Sequence, residues 1–495
     1  MRSFKTKSYI FGVTLFAPFG ASLCAVLPST TWIAENPEHD MTNPENWDPT
    51  GAPSGIVQVV FDNSVENINL TPTQTDDPFF VCSIFFSSSA APFTIHFNDN
   101  TVELNGLGIT GLQTNATMNA TNVDNATPLG NQFSFNRNNN SSSGSSTLNI
   151  SNTGSQLSDS SAVTLNNMDN QFFVIGPFSM LNGGSLTLAN TGNDNSHGTG
   201  TNQISCINAY QAQLSNTNAI EDNVTISISN SGNYSGQNTL SGNNIGIVSY
   251  DQYYNTDAFF ASDALDFSVT NSGVNSGTSE GASFIGSVGA SQINFGSTSG
   301  LGTSNKITIS NYGENSGNSG TNSSNELHVG TINGHQLYVH MPFVAADDFS
   351  LTATNIGIDS GSGDGSTYLA NNSNGDQVMF NNSCSVGKNA AFVTQNSGTC
   401  SGDKTGHITS VGQLSTYQMV FNGEFQAGNF LNFSITNTAV DSSHSMNTNS
   451  VGTVSYSQLF FGSPAVIHDN ATISISNEGH FSGNTHDLLP INRSS

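Results

Sequence analysis

The sequence predicts an all-β protein: a right-handed parallel β-helix, or solenoid, with an N-terminal β cap and repeats of about 40 residues. Apolar side chains alternate with polar ones before a recurring asparagine, as Val224, Ile226 and Ile228 do before Asn230 in NVTISISNSG. This alternation marks a strand with one buried face. A glutamine recurs with the same period ahead of short apolar runs, such as QLYV and QMVF, and no stretch keeps the period of a helix.

The two landmarks divide each repeat into a rigid part and an elastic part. From glutamine to the next asparagine the spacing is 19 residues in eight copies and 20 in the first, whereas the return spacing varies. The glutamines are Gln132, Gln171, Gln211, Gln252, Gln292, Gln336, Gln377, Gln418 and Gln458, and the asparagines are Asn152, Asn190, Asn230, Asn271, Asn311, Asn355, Asn396, Asn437 and Asn477.

The end of each strand is predicted from turn chemistry. An Asn-x-Gly follows most strands, asparagine tolerates left-handed backbone and glycine takes positive φ without strain. We therefore expect the strand to stop there and the elastic segment to protrude as a loop. One period holds either one coil of three strands, as in NNIGIVSY, QYYNTDAFF and LDFSVTNSG, or two coils of about 20 residues, and both remain open.

The N-terminus predicts export. In residues 1–25 basic residues precede an apolar run that ends in small residues near Ala25, which is typical of a secretory signal peptide. Residues 26–110 contain Trp32 and Trp47, and we expect them to form the N-terminal cap and the first coils, since a first strand otherwise exposes unpaired backbone. The repeats then fill 111–479, and 480–495 form a C-terminal tail.

The charge excludes two classes of partner. The chain has 35 acidic and eight basic residues, a formal net charge of −27. Nucleic acids and anionic membranes both require clustered lysine and arginine, which this sequence lacks. The acidity is explained by solubility and repulsion between molecules.

The cysteines predict one disulfide and no metal centre. Four cysteines follow the signal peptide, and in an oxidising compartment they allow three pairings. Cys384 and Cys400 share one repeat, where a bridge would hold a loop. No pair has metal-ligand spacing, and no cofactor is predicted.

The strongest acidic pair for catalysis is Asp347-Asp348, since glycoside hydrolysis needs two carboxylates at a set separation. The favoured interpretation of this pair is a solvated turn before a strand, so the protein is expected not to be an enzyme. A polysaccharide lyase or hydrolase that uses Asp347 and Asp348 is the minor alternative. The candidate binding site is the longest elastic segment, Glu314 to His335.

The chain resembles a known class of bacterial surface protein. Trp32 and Trp47, the latter in NPENWDP, precede short strands that lead to VELNGLGIT at 102–110, and Asn-, Gly- and Ser-rich strand repeats follow. This order is similar to the β-helical passenger region of autotransporter-type surface proteins of Gram-negative bacteria. No alternating membrane strands follow Gly479, and the GGA[ILV] tetrapeptide of chlamydial polymorphic membrane proteins is missing. Release or non-covalent attachment is therefore expected.

Together these features predict an exported, non-enzymatic, adhesin-like protein of the outer-membrane surface or the extracellular space, with the periplasm as an alternative. Its variable loops would contact a host or cell-surface protein or glycan. The alternatives are a β-helix that binds or cleaves polysaccharide and a structural surface coat. The sequence does not give an oligomeric state.

Overall fold

The computed structural model of the chain describes a defined set of residues, and the predicted signal peptide and residues 482–495 of the predicted tail lie outside it. Within it, no helix is long and apolar enough to cross a membrane. The described residues are 29–33, 41, 43–51, 53, 57–61, 67–69, 79–86, 94–96, 102–110, 117–123, 131–135, 141–142, 147–156, 163–165, 169–194, 201–204, 207–234, 242–275, 281–315, 325–359, 367–370, 375–400, 408–412, 414, 416–441, 448–452 and 454–481.

The fold is the predicted right-handed parallel β-helix. Leu186, Ile226 and Phe267 are register partners in three successive strands, so one repeat of about 40 residues makes one coil. Parallel strands stack in register from coil to coil and form three sheets, two of which enclose the main core, while the apolar residues of the third form separate small clusters. The alternative of two coils per repeat is thereby excluded.

The longest strands form what we call the long-strand sheet, with twelve strands among the described residues. They are Asn67–Asn69, Thr94–His96, Thr117–Val123, Thr147–Gln156, Ser185–Asp194, Thr225–Tyr234, Asp266–Asn275, Lys306–Asn315, Ser350–Asp359, Ala391–Cys400, Asn432–Asp441 and Thr472–Phe481. The last strand includes the first two residues of the predicted tail, so the repeats extend past 479.

The paired-strand sheet receives two short strands from most coils and has 23 described strands. They are Ser29–Trp32, Trp47–Asp48, Gln58–Phe61, Phe79–Phe86, Val102–Thr110, Phe133–Phe135, Ser141–Ser142, Phe172–Val174, Phe178–Met180, Ala212–Leu214, Asn218–Ile220, Tyr253–Asn255, Phe259–Ala261, Ile293–Phe295, Ser299–Leu301, Leu337–Val339, Phe343–Ala345, Val378–Phe380, Cys384–Val386, Met419–Phe421, Phe425–Ala427, Leu459–Phe461 and Ala465–Ile467.

The short-strand sheet lies within the elastic part of the repeat and has eight described strands. They are Val163–Leu165, Thr201–Ile204, Gly242–Ile245, Gly281–Ile285, Asn325–Val329, Thr367–Ala370, Ile408–Val411 and Thr448–Val451. The elastic segment is therefore a third wall of the β-helix and not only a protruding loop.

The alternating apolar side chains of the strands form the core, as predicted. Ile226 and Ile228 point inward at 1% and 0% exposure, and burying such a side chain contributes roughly 1.5–3 kcal/mol. Aromatic rings stack along the axis, with Phe421 lying 5.0 Å from Phe380 and 5.4 Å from Phe461, centroid to centroid. Each coil thus buries its apolar face against its neighbours, as solenoid repeats must.

The predicted N-terminal cap is present. The strand Ser29–Trp32 pairs antiparallel with Trp47–Asp48 around a 3₁₀ turn at Pro44–Asn46. Trp32 and Trp47 are buried, with their rings edge to face at 5.0 Å, and the Trp47 indole nitrogen donates to the carbonyl oxygen of Met41. The two tryptophans are thus core residues that begin the stack of coils.

The prediction that Asn-x-Gly ends the strand is wrong. The strand Thr225–Tyr234 runs through Asn230 and Gly232, and the same holds for its neighbours. Gly232 allows close packing, because a Cβ there would lie 2.7 Å from Cδ1 of Ile285. The left-handed glycine of the repeat is Gly246, with φ of 59°, after the short strand. Interior hydrogen bonding keeps the asparagine in the strand against its intrinsic preference for turns.

Candidate functional site: an outward strip at one corner of the coil

The recurring glutamines and asparagines form a ladder inside the β-helix. Asn230 is fully buried; its Nδ2 donates to Gln211 Oε1 at 3.1 Å and to Asn271 Oδ1 at 2.9 Å. Its Oδ1 accepts from Asn190 Nδ2 at 2.8 Å and from Gln211 Nε2 at 3.3 Å. The constant 19-residue spacing places the two amides side by side in each coil. These landmarks are structural, because all of them except the last pair, Gln458 and Asn477, are buried.

The residues around each glutamine form an outward corner where the short-strand sheet meets the paired-strand sheet. Each glutamine and the residue after it face the core, whereas the second residue after it faces outward, as Tyr254 does after Gln252 and Tyr253. We call the chemically distinctive outward residues the corner strip. They are Tyr210, Tyr250, Asp251, Tyr254, Asn294, His335, Tyr338, His340, Asp376, Tyr417, Tyr456 and Phe460.

Three tyrosines form the first aromatic group of the corner strip. The Tyr210 ring stacks on Tyr250 at 5.4 Å and on Tyr254 at 5.0 Å, each at an interplanar angle of 26°. Tyr250 is 53% exposed. Burial and the nearby Asp251 carboxylate raise the pKa of Tyr210 to about 12, so its hydroxyl stays protonated at neutral pH. The three rings together form a stacked aromatic platform.

Asp251 lies beneath this platform and is 4% exposed. Its Oδ1 accepts from the Ser291 backbone nitrogen at 2.7 Å, and its Oδ2 accepts from Asn294 Nδ2 at 3.4 Å. Burial raises the pKa of Asp251 to about 6, although both hydrogen bonds favour the carboxylate. The Oδ1 atom of Asn294 is buried without a hydrogen-bond partner.

The second aromatic group is an imidazole–tyrosine–imidazole cluster two coils further on. The Tyr338 ring lies 4.7 Å from His335 and 3.7 Å from His340, centroid to centroid. His335 Nδ1 accepts from the Asp376 backbone nitrogen at 3.0 Å, so the proton of the neutral ring is on Nε2. Burial lowers the pKa of both histidines, and for His335 it outweighs the Asp376 carboxylate, whose Oδ2 lies 3.6 Å from Nδ1. Both rings are therefore neutral at pH 7.

The third group lies towards the C-terminal end of the stack. The Tyr417 ring stacks on Tyr456 at 5.3 Å and on Phe460 at 4.9 Å, at interplanar angles of 25° and 20°. Tyr456 is 65% exposed and Phe460 36% exposed. Both rings lie in the last described coil, where Ile473 and Ile475 are also exposed, at 51% and 46%, because no further described coil covers them.

Side chains immediately before the glutamines bind the backbone of the next coil. Besides Asp251, Asn170 Oδ1 accepts from the Tyr210 nitrogen at 3.0 Å and Asp376 Oδ1 accepts from the Tyr417 nitrogen at 2.7 Å. Thr416 also donates to Asp376. The buried acids of the corner strip thus satisfy backbone donors that would otherwise be unpaired.

The acidic pair predicted for catalysis lies at a different corner, where the paired-strand sheet meets the long-strand sheet. Asp347 Oδ1 accepts from the Lys388 backbone nitrogen at 2.7 Å, and Asp348 Oδ1 accepts from Asn389 Nδ2 at 2.9 Å. Asp348 has left-handed backbone with φ of 61°. The preceding coils repeat this arrangement, with Asp263 Oδ1 accepting from the Thr303 nitrogen at 2.6 Å. The pair therefore belongs to a turn that joins successive coils.

The candidate binding loop, Glu314 to His335, is not one loop, and this prediction is corrected. Glu314 lies within the strand Lys306–Asn315, and Asn325–Val329 is a strand of the short-strand sheet. Ile332 is buried, and His335 belongs to the corner strip. Residues 316–324 lie outside the described part of the chain.

The predicted disulfide between Cys384 and Cys400 is not formed. Cys384 is a free thiol, 1% exposed, on the inward face of the strand Cys384–Val386, and burial raises its pKa. Its side chain faces the core because it occupies the register position of Phe343 and Phe425 in the adjacent coils. No group of three metal-ligating side chains occurs in the part of the chain that the structure describes.

Sequence reasoning missed the corner strip. Its signal is present in the sequence: aromatic residues recur one residue before and two residues after the glutamines, as Tyr210, Tyr254, Tyr338, Tyr417 and Phe460 do. Because the residue that follows each glutamine faces the core, the second residue after the glutamine faces outward. A search for outward aromatic residues in register with the repeat would have found it.

Comparison of the chain with protein-family models, with curated proteins and with solved structures finds no match.

Proposed function

We propose that the protein is an exported, non-enzymatic and adhesin-like β-helix that binds a host or neighbouring cell surface, either a protein or a glycan, along its side. The corner strip carries this proposal. It presents three aromatic groups on the outward side of the coils, and they line up along the axis. Tyr250, Tyr456 and Phe460 are exposed and the other rings are half-buried, and partly exposed aromatic residues grouped on one side of a protein mark interaction surfaces.

The placement of the acids supports binding rather than hydrolysis. Asp251 and Asp376 occupy equivalent positions three coils apart, which corresponds to about 14 Å at the usual strand spacing. Glycosidase carboxylates lie roughly 5–9.5 Å apart. Asp347 and Asp348 are each hydrogen bonded to the next coil and belong to a turn shared by successive coils.

Export is part of the proposal and is supported by the basic and apolar pattern of residues 1–25 and by the acidic composition. The mature protein would then lie at the outer-membrane surface or outside the cell, with the periplasm as the alternative, as in the autotransporter-type proteins that it resembles. The resemblance rests on composition and on the β-helical fold.

The test has two readouts. The full chain, expressed in a Gram-negative host, should be cleaved near Ala25, which intact mass and N-terminal sequencing would show. The purified product should bind intact cells in a flow-cytometry assay, and binding should fall when ring residues of the corner strip are replaced. Uncleaved protein retained in the cytoplasm would contradict export. Cleaved protein that binds no cell type would contradict the adhesin-like role.

A further inference from the structure

We propose that the corner strip binds an uncharged polysaccharide whose chain lies along the axis of the β-helix. This inference rests on the proposed function and names the class of ligand. It depends on four features of the strip: the spacing of its rings, the polar atoms between them, its charge and its closed backbone.

The aromatic groups are spaced regularly. Tyr254, Asn294 and Tyr338 are register partners in three consecutive coils, so the two tyrosines are two coils apart, about 10 Å. Tyr417 lies on the corner two coils beyond Tyr338, and Phe460 in the next coil. The strip from Tyr210 to Phe460 covers six coil-to-coil steps, on the order of 30 Å. A linear polymer with a repeating flat face can contact all three groups together.

The rings offer faces and polar rims at once. Tyrosine combines an apolar face with a hydroxyl that bonds at its edge, and a sugar ring has the matching combination of C–H faces and peripheral hydroxyls. The hydroxyl of Tyr210, like that of any tyrosine, is protonated at neutral pH and can donate. His335, neutral with its proton on Nε2, adds a donor beside Tyr338.

A groove adjoins the strip between the first two aromatic groups. It has a volume of about 270 Å³ and is formed by the corner segments 247–248, 287–289 and 331–333 of three successive coils. These segments directly precede Tyr250 and His335 in the chain. Its volume lies just below the usual range of small-ligand pockets, so it has room for at most a single sugar unit of a longer chain.

The charge of the strip selects against polyanions. Its two acids, Asp251 and Asp376, are buried, burial lowers the pKa of its two histidines and keeps them neutral, and it contains no lysine or arginine. The whole chain has a net charge of −27. Sulfated or uronic acid polymers would be repelled, whereas uncharged sugars would not.

The backbone of the strip is closed to peptides that bind as an added strand. The Tyr250 nitrogen donates to the Ala209 carbonyl oxygen, and the Tyr253 nitrogen donates to the Gln292 carbonyl oxygen. Because these amides bind the adjacent coils, the central part of the strip offers no sheet edge for β-augmentation, whereas the strand Leu459–Phe461 has one described partner strand. Recognition must therefore use side chains, which favours a ligand with repeating faces over an extended peptide.

The experiment measures binding of the full chain and its variants to soluble uncharged polysaccharides by affinity electrophoresis and calorimetry. The probes are hydroxyethyl cellulose, glucomannan, dextran and amylose, with alginate, heparin and a proline-rich peptide as comparators. Tyr254→Ala and Tyr338→Ala should each weaken binding to the preferred polymer by about tenfold, whereas Tyr254→Phe and Tyr338→Phe should retain most of it. Tyr312→Ala, on the long-strand sheet, is the matched control and should bind normally.

The outcomes separate this inference from the proposed function. Preferential binding to alginate, heparin or the peptide would overturn the inference, and so would equal binding by the alanine variants. If the unaltered protein binds cells but no polysaccharide, and the Tyr254→Ala and Tyr338→Ala double variant loses cell binding, the ligand class is wrong and the adhesin-like role of the corner strip stands. Unaltered far-UV circular dichroism of each variant shows that the coils are intact.

Discussion

The buried amide ladder should determine local stability, and Asn230→Ala tests it. The substitution removes four hydrogen bonds, two donated by Nδ2 and two accepted by Oδ1. Its partners Asn190, Gln211 and Asn271 each retain another bond to a ladder glutamine. The substitution therefore removes hydrogen bonds without leaving a buried polar group unpaired. At a net value of about 1 kcal/mol per bond, the expected destabilisation is about 4 kcal/mol.

Hydrogen exchange followed by mass spectrometry is the suitable assay, because coils of a solenoid interact only with their neighbours and open locally. Exchange in the strand Thr225–Tyr234 should accelerate by roughly a thousandfold, whereas the distant strand Asn432–Asp441 should be unaffected. Asn182→Ala is the control, since Asn182 accepts a single exposed bond from Asn223 at 3.3 Å. A change of less than about 1 kcal/mol in the Asn230 variant would refute the ladder's role.

Three further predictions follow from buried groups. Burial raises the pKa of Asp251 from 3.8 to about 6, so ionisation destabilises the fold as pH rises through this range. In urea unfolding, Asp251→Asn should raise the free energy of unfolding by about 3 kcal/mol at pH 7.5 and leave it unchanged at pH 3.5. The exposed control, Asp263→Asn, should change it little. Gly246→Ala would place a Cβ 1.9 Å from Asn230 Oδ1 at a φ of 59° and should lower the urea midpoint, whereas normal stability would contradict this packing. Cys384 should resist thiol reagents until urea unfolds the chain, and labelling under native conditions, read by peptide mass mapping, would contradict its burial.

The alternation of apolar and polar side chains was sufficient to predict the strands of the β-helix, because this alternation depends only on which face of a strand is buried. Ile226 and Ile228 face the core as predicted, and the tryptophans belong to the cap. The fixed 19-residue spacing has a structural cause: it is the separation in sequence of the glutamine and asparagine side chains that hydrogen bond within each coil.

The sequence misled where tertiary contacts overrule local preference. Asparagine and glycine favour turns in isolation. Asn230 nevertheless lies within a strand, because its side chain makes the ladder hydrogen bonds. Gly232 lies within the same strand, where it packs closely against isoleucines of the short-strand sheet. The run QYYNTDAFF, expected as one strand, is divided into Tyr253–Asn255 and Phe259–Ala261. Composition gave no sign of this corner, because its bend depends on the packing of adjacent coils.

The candidate site could not be located from residue type alone. Asp347 and Asp348 were selected from the sequence because they form an acidic pair. Their hydrogen bonds to the next coil show that they belong to a turn. The rings of the corner strip lie about 40 residues apart in sequence and meet only when the coils stack. Knowledge of the inward register of the glutamines was needed to bring them together.

The measurement that tests the account most directly incubates the purified chain with a broad polysaccharide panel and scores both binding and the release of reducing or unsaturated ends. We predict binding to an uncharged polymer, weakened by Tyr254→Ala and Tyr338→Ala, with no release of ends. Release of ends that is abolished by Asp347→Ala or Asp348→Ala would contradict a non-enzymatic β-helix that binds through its corner strip.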